Sequence, residues 1–208
     1  MTNMLQEKVA DDSSIKKREM KRMVILLRIF ALLATTAATV VMALNKETRT
    51  FVVATIGNTP VKINIAAKFQ NTPANIMFVI ANGVATLHSL LMLSLCFVSH
   101  KCDFKGLRFL IVAALDMASA RTLPLIDVMI ALVSGAATAV AFMGELARNG
   151  NSHARWNKVC DTFERFCDRA SGAMLVSYIG ILFFMLVNLL NFYEHGRLIN
   201  LSKSLNLI

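Results

Sequence analysis

Residues 170–193 read ASGAMLVSYIGILFFMLVNLLNFY, which is 24 positions without a charged side chain. Two more stretches have the same character: Ile76–Val98 has no Asp, Glu, Lys or Arg in 23 residues, and Val24–Leu44 has one in 21. A helix needs about 20 apolar residues to cross a hydrocarbon core about 30 Å thick. The helices of soluble proteins keep a polar face, which these stretches lack. Each of the three therefore predicts a transmembrane helix.

A fourth apolar run, Leu107–Leu146, has a length that fits neither one span nor two. As a single helix its 40 residues would extend about 60 Å at 1.5 Å per residue. Thr122-Leu123-Pro124 offers a break, because threonine can cap a helix and proline is tolerated in a first turn. We therefore expect one helix over Leu107–Arg121 at the cytoplasmic interface and a span over Leu123–Leu146.

These four runs define one membrane domain over residues 23–193. The predicted spans cover about residues 24–44, 76–98, 123–146 and 170–193, between a basic tail at 1–22 and a short tail at 194–208. The first tail has no helical periodicity, so we expect it to be mobile. No connection is long enough to bury a soluble core of its own, which excludes a separate catalytic domain.

The positive charge is concentrated where it can set the orientation of the chain. The formal net charge is +9, and six of the 22 Lys and Arg residues precede the first span, five of them between Lys16 and Arg22. A basic cluster beside an apolar run is typical of the cytoplasmic side and can attract anionic lipids. No aromatic residues alternate with these charges to stack on bases, so no nucleic-acid partner is expected. Four crossings then place both termini in the cytosol.

The first loop predicts a β-hairpin on the outer side. Thr50–Ile56 is β-branched and apolar, Gly57-Asn58 and Pro60 follow as turn residues, and Val61–Ile65 alternates between apolar and polar positions. This pattern is typical of two short strands around a turn. The predicted fold class is an all-α membrane protein, a four-transmembrane-helix bundle with a short hairpin in its first extracellular loop.

Four cysteines divide between the two sides of the membrane in this topology. Cys160 and Cys167 share the third loop, which is outside, where a disulfide can persist. In one continuous helix their Cα atoms would lie about 10 Å apart, beyond bridging range. A disulfide therefore requires a turn between them, and two free thiols are the alternative. Cys96 and Cys102, at the cytoplasmic end of the second span, are expected to stay reduced.

Two charged side chains lie inside predicted spans. Arg28 is about 7 Å into the first span, counted from Met23, and Asp127 is similarly shallow in the third. Aspartate is too short to reach the interface as arginine can, so a partner at the same depth is favourable. We expect an Arg28–Asp127 ion pair. The alternatives are that both groups reach the interface separately, or that Arg28 pairs with Asp116.

Small residues recur at helical spacing in two spans. Close approach of helices in lipid is favoured by this small-xxx-small pattern. The pattern comprises Ala31, Thr35 and Ala38 in the first span, and Gly135, Ala139 and Met143 in the third, with Ala137 and Ala141 beside them. It fits packing inside the bundle and contact between protomers equally well.

No arrangement of residues predicts catalysis, a metal or a cofactor. The four histidines (His88, His100, His153, His195) fall in four different segments, without metal-ligand spacing. There is no Gly-rich phosphate loop or nucleophile elbow. We interpret His88 as a hydrogen-bonded residue of the bundle rather than a proton relay, and we do not expect an enzyme.

The third loop resembles a known family. Residues 150–160 read GNSHARWNKVC, with Phe163 and Phe166-Cys167 after them, and this text is similar to the second extracellular loop of CASP-like proteins, relatives of the Casparian strip membrane domain proteins of plants. Trp156 is part of that motif. Leu26-Leu27-Arg28 and Lys105-Gly106-Leu107-Arg108 resemble the same family, and the resemblance covers about residues 20–193. It implies a four-span fold related to the MARVEL domain, cytosolic termini, the plasma membrane, homo- and heteromers, and no known catalysis.

Two features depart from the family pattern. The first loop, with Lys46–Val53 reading KETRTFVV, lacks the acidic-aromatic stretch of the Casparian strip proteins themselves, so the broader CASP-like group fits better. The family aspartate of the third span aligns with Asp116 when counted from Lys105 and with Asp127 or its neighbour when counted back from Gly150. We therefore infer an insertion of about ten residues between these points.

From the sequence we expect a scaffold that associates laterally with itself and with related four-span proteins, contacts membrane lipids and presents two loops to the cell wall. Its partner on the wall side is not identified by the sequence. The alternative is a transporter or channel subunit with a polar path near Asp127, His88 and Asn82. One ionisable pair near the inner surface and the lack of interrupted helices at mid-membrane make that alternative weaker.

Overall fold

A computed structural model describes the backbone of residues 2–101 and 105–205. It describes the side chains of residues 15–97 and 127–193, except residues 17, 56 and 96, together with that of residue 196. The elements in chain order are α1 (Thr2–Ala43), β1 (Lys46–Ile56), β2 (Thr59–Lys68), a short 3-10 turn (Phe69–Asn71), α2 (Pro73–Lys101), α3 (Lys105–Asn149) and α4 (Glu164–Leu205).

Each of the four helices contains a segment long and apolar enough to cross a membrane. These segments are Arg18–Ala43, Pro73–Leu95, Asp127–Asn149 and Glu164–Tyr193. The prediction of a four-helix membrane bundle with a hairpin in its first loop is thereby confirmed. We call the end of the bundle that carries β1, β2 and the connection 150–163 the hairpin end, and the opposite end, where the chain begins and ends, the terminal end.

Helix boundaries at the terminal end differ from those predicted. α1 begins at Thr2 and α4 continues to Leu205, so the backbone of the first tail is helical from Thr2 although its sequence lacks helical periodicity; its mobility stays a prediction. Polar residues without periodicity can extend an existing helix, because adding a residue costs far less than nucleating a new helix. α3 is also continuous across Pro124, so the predicted break at Thr122-Leu123-Pro124 is wrong. Proline removes one backbone hydrogen bond, and long membrane helices tolerate that loss.

The helices form a ring in which each contacts two neighbours. α1 packs against α2 and α4, and α3 packs against the same two helices, so α1 and α3 stand at opposite corners. The core consists of small and medium residues with few aromatic rings. It contains Ala31, Ala38 and Met42 of α1, Phe78, Ala81 and Ala85 of α2, Val133, Ala136, Ala137 and Val140 of α3, and Ala173, Ile181 and Phe184 of α4.

The hairpin is a two-stranded antiparallel sheet that continues directly from α1 and leads into α2. Its register runs from Lys46 opposite Lys68 to Ile56 opposite Thr59, with a bulge between Val52 and Ala54. Gly57 has φ +64° at the tip, a conformation that glycine adopts without strain. The strands are longer than those predicted but include both predicted segments.

Candidate functional site

The base of the hairpin is joined to the start of α4. Asn45 Nδ2 donates to the carbonyl oxygen of Phe166 at 2.8 Å, and the N–H of Phe166 donates to Glu47 Oε2 at 2.9 Å. Arg49 Nη2 lies 2.7 Å from Glu47 Oε1. We call the set Asn45, Glu47 and Phe166 the loop junction. Because it joins residues about 120 positions apart, it fixes the first loop relative to the third.

The pKa of Glu47 lies below its ordinary value of 4.5. Desolvation by its surroundings acts to raise this pKa, but the hydrogen bonds from the Phe166 N–H and from Arg49, together with the charges of Arg49 and Arg165, outweigh it. Hydrogen bonds to the charged form of a carboxyl group favour ionisation. Glu47 therefore enters the loop junction as a carboxylate at neutral pH.

An aromatic contact reinforces this connection. The rings of Phe51 on β1 and Phe163 meet edge to face, with centroids 6.5 Å apart. Edge-to-face geometry of this kind contributes about 0.5–1.5 kcal/mol beyond the burial of apolar area. Phe163 is itself buried. The first and third loops therefore share a small apolar centre as well as hydrogen bonds.

The connection 150–163 is folded back on itself. Asn151 and Trp156 exchange two backbone hydrogen bonds of 3.0 and 2.9 Å. Gly150 has φ +67°, and a Cβ at that position would lie 2.6 Å from the carbonyl oxygen of Trp156, so only glycine fits there. The N–H groups of Val159 and Cys160 both donate to the carbonyl oxygen at position 147. The Trp156 ring is 56% exposed and is available for an external contact.

Cys160 and Cys167 are joined by a disulfide with a Cα–Cα distance of 5.7 Å. This distance lies in the usual range for disulfides. α4 begins at Glu164, between the two cysteines, so the pair does not share one continuous helix. The turn that the spacing requires is therefore present, and the disulfide links the connection 150–163 to the first turn of α4.

A group of polar side chains crosses the middle of the bundle. Ser177 of α4 donates to Asn82 Oδ1 of α2 at 2.9 Å, and Thr86 of α2 donates to Thr35 Oγ1 of α1 at 3.0 Å. The Thr86 hydroxyl also lies 2.8 Å from the Asn82 carbonyl oxygen, and its one proton is shared between that oxygen and Thr35 Oγ1. Asn82, Thr35 and Ser177 are fully buried. We call these four residues the polar layer, and it connects three of the four helices.

Asp127 and Arg28 do not form an ion pair among the described residues. Asp127 instead accepts a hydrogen bond from Asn188 Nδ2 of α4. The diagonal positions of α1 and α3 account for this, since an arginine on α1 meets α2 and α4 first. The alternative partner, Asp116, has its side chain outside the described residues, so the pairing of Arg28 remains a prediction.

His88 is a half-buried residue of α2. Neither ring nitrogen has a partner in the part of the chain that the structure describes, and neither does the hydroxyl of the neighbouring Ser89. The hydrogen bond predicted for His88 is therefore not found among the described residues. The other predicted ionisable or thiol positions near this end, His100, Cys96 and Cys102, have side chains outside the described residues.

The small residues of α1 and α3 occupy different environments. Ala31, Thr35 and Ala38 are fully buried inside the bundle. Gly135 of α3 is exposed, and Ala139 is only half-buried. The residues of α3 that enter the core are Val133, Ala136, Ala137 and Val140. Successive residues of a helix are rotated by about 100°. The stripe of Gly135 and Ala139 therefore faces away from the core although it lies beside the buried stripe of Val133 and Ala137.

Sequence reasoning did not identify the loop junction, the Asn82–Ser177 hydrogen bond or the Asn188–Asp127 hydrogen bond. The sequence did contain a signal for the two hydrogen bonds between helices, because polar residues such as Asn82 and Asn188 in an apolar span need a partner. Which helix supplies that partner depends on the register between helices, which a single sequence does not contain.

Comparison with known proteins places this architecture in a family. The family model of the Casparian strip membrane protein domain matches residues 17–183. CASP-like protein 1B2 of Populus trichocarpa is 49% identical over 179 residues, which cover 86% of this chain and 85% of that protein. CASP-like protein 1B1 of Ricinus communis is 49% identical, covering 84% of this chain and 81% of the relative.

CASP-like protein 1B2 of Arabidopsis thaliana is 50% identical over 162 residues, covering 78% of this chain and 77% of that relative. No solved structure matches the chain. The sequence resemblance noted in the third loop is confirmed by these matches. The chain is thus a multi-pass membrane protein, and it belongs to the CASP-like family defined by the Casparian strip membrane protein domain.

Proposed function

We propose that this chain is a laterally associating scaffold of the plasma membrane. Both termini lie in the cytosol, and the hairpin and the connection 150–163 together face the cell wall as one outer platform. The observation that carries the proposal is the loop junction. The hydrogen bonds of Asn45 and Glu47 to Phe166 join the two loops into one surface.

Charge and redox chemistry support this orientation. The terminal end carries the basic cluster between Lys16 and Arg22, as the cytoplasmic side usually does. The hairpin end carries the disulfide between Cys160 and Cys167, which persists in an oxidising compartment. Tags at the two termini of intact cells should be protected from labelling, and a tag at Gly57-Asn58 should be labelled. Surface labelling of either terminus would exclude this topology.

The outward face of α3 supports lateral association. The membrane-facing residues of α2 and α4 are mostly large, such as Ile80, Leu87 and Leu182. α3 also exposes large residues, among them Leu132 and Phe142, but it exposes Gly135 and Thr138 between them. Without a hydrophobic driving force between helices in lipid, small residues favour association because they allow backbones to approach. We infer that this face contacts a second copy or a related four-span protein.

Cross-linking of the purified protein in bilayers tests this contact. Gly135→Leu should lower the yield of cross-linked dimer, while Gly83→Leu on α2 should not. Both glycines have open space where a Cβ would be built, so the two substitutions are matched at that atom. Equal dimer yields from the two variants would exclude the α3 face.

The outer platform can be tested by hydrogen exchange. Glu47→Ala removes the acceptor of the Phe166 N–H, so amides 163–167 and β1 should exchange faster together. Thr50→Ala is the matched control, since Thr50 bonds only to Asn64 within the hairpin. If Glu47→Ala accelerates exchange in one loop alone, the two loops are independent.

The transporter alternative has its own assay. In the polar layer Asn82 and Ser177 hydrogen-bond each other rather than lining an open path. Flux of ions or small polar solutes into proteoliposomes that hold the purified protein would favour the transporter over the scaffold. We expect no flux above that of empty liposomes.

A further inference from the structure

A cleft of about 700 Å³ lies at the hairpin end of the bundle. It is bounded by the start of α2, the end of α3, the start of α4 and the connection 150–163. The volume falls within the range of about 300–1,000 Å³ that small-molecule sites occupy. The scaffold role proposed above makes no use of it.

The apolar and the polar residues that line the cleft lie at different depths along the helices. Its apolar part includes Val140, Ala141 and Gly144 of α3 and Met174 of α4. Val140 lies nine residues before the end of α3 at Asn149, which is about 14 Å along the helix axis. The polar part lies toward the helix ends and consists of Thr72, Asn75, Glu145, Arg148, Trp156, Asn157 and Ser171. A ligand that fits this lining has a polar end at the membrane surface and an apolar body inside the leaflet.

Asn75 supplies a recognition group with no task elsewhere. The residue is only 5% exposed, and it lines the cleft. Its backbone N–H bonds to Thr72, but its carboxamide makes no hydrogen bond to any described residue. An amide that lines the cleft without a protein partner can form a hydrogen bond with a bound ligand. The carboxamide offers both a donor and an acceptor, so a hydroxyl group can satisfy it.

The charges around the cleft disfavour an anionic head group. Its lining contains one cation and one anion, Arg148 and Glu145. Arg148 is already engaged, because its Nη2 lies 3.7 Å from Asp168 and 3.5 Å from the hydroxyl of Ser171. A phosphate near Arg148 would face Asp168 as well as Glu145. A neutral head group meets no such repulsion.

We propose that this cleft binds a sterol from the leaflet at the hairpin end. The sterol hydroxyl hydrogen-bonds to the Asn75 carboxamide, and the rigid ring system lies against Val140, Gly144 and Met174. This depth would place the ring system in the hydrocarbon region and the hydroxyl at the interface, as for a sterol in the bilayer itself.

The test uses a photoactivatable, clickable sterol in proteoliposomes that contain the full-length protein. Labelled peptides from the wild-type protein should map to residues 140–148 and 170–174, and excess unlabelled sterol should compete. Gly144→Phe fills the cleft and should abolish this labelling. Gly172→Phe is the matched control, because Gly172 also has open space at its Cβ position but does not line the cleft.

A second variant tests the polar contact. Asn75→Leu removes one neutral hydrogen bond, so the apparent affinity for the sterol should fall by about fivefold. The Gly172→Phe protein should retain the wild-type affinity. Because the peptide map comes from the wild-type protein, the proposal can be judged even if a cleft variant fails to fold.

Two results would overturn the proposal. Sterol labelling spread evenly over the membrane-facing helices and unchanged by Gly144→Phe would show ordinary bilayer contact. Stronger labelling of residues 140–148 by a photoactivatable phosphatidylserine or phosphatidylcholine would show a phospholipid site instead. Neither result bears on dimer cross-linking through Gly135, so this proposal and the scaffold can fail separately.

Discussion

The hydrogen bond between Asn82 and Ser177 should contribute measurably to the stability of the bundle. Both side chains are fully buried, and the hydroxyl of Ser177 lies 2.9 Å from Asn82 Oδ1. Hydrogen bonds between membrane helices contribute about 0.6 kcal/mol on average and about 1.7 kcal/mol at most. Good geometry and full burial place this one in the upper half of that range, so we expect about 1–1.5 kcal/mol.

A double-mutant cycle isolates this contribution. Asn82→Leu also loses the bond to the Phe78 carbonyl oxygen, and in that variant the hydroxyl of Ser177 can turn to a carbonyl of its own helix. Single substitutions therefore misstate the pair energy, whereas the coupling between Asn82→Leu and Ser177→Ala removes these separate effects. The free energy of unfolding is measured for all four proteins by SDS titration in mixed micelles.

The control cycle combines Ser177→Ala with Thr36→Ala. Thr36 is exposed, and its hydroxyl bonds only to the Leu32 carbonyl oxygen of its own helix. We expect a coupling below about 0.3 kcal/mol there, within the additivity of separate sites. If the Asn82–Ser177 coupling is as small as that of the control, the polar layer does not hold α2 to α4.

Three further predictions concern other parts of the molecule. Gly180→Leu should destabilise the bundle by about 1–3 kcal/mol, because a Cβ there would lie 3.3 Å from a side-chain carbon of α1. The control in the same unfolding assay is Gly83→Leu, since a Cβ at position 83 has no atom within 4 Å. The pKa of Glu47 is lowered in the folded protein, so its stabilisation should be complete above pH 4.5 and should be lost as the pH falls through the pKa of the folded state. Glu47→Gln should therefore flatten the acid limb of the hydrogen-exchange profile of the hairpin base. Arg28→Asp combined with Asp127→Arg should not restore the surface delivery lost in each single variant, because Asp127 hydrogen-bonds to Asn188 of α4; rescue would show that Arg28 and Asp127 pair.

Element type could be predicted from the sequence because its signals are local. The length of its apolar run identifies Ala170–Tyr193 as a span, and the alternation of apolar and polar residues identifies Val61–Ile65 as a strand. The third loop was also specific enough to identify the family. Each of these features depends on a few consecutive residues and not on how helices are arranged.

Helix faces and partners could not be predicted in the same way. α3 is apolar on all sides in its membrane segment, so periodicity does not decide between the stripe of Gly135 and Ala139 and the buried stripe of Val133 and Ala137. The partner of Asp127 depends on its height relative to Asn188 on α4. The extension of α1 to Thr2 was not predicted, because a solvated helix needs no apolar stripe that would reveal it in the sequence.

If two copies associate through α3 as proposed above, the opposite corners occupied by α1 and α3 set the valency of the assembly. Contact of two copies through the same face of α3 is self-complementary and therefore closes at two. In such a pair the hairpins, attached to α1 and α2, lie toward the far sides, with the outer edges of their two-stranded sheets unpaired. Growth from pairs to patches then depends on whatever meets those edges, which makes the material outside the membrane, rather than the bundle, the determinant of patch size.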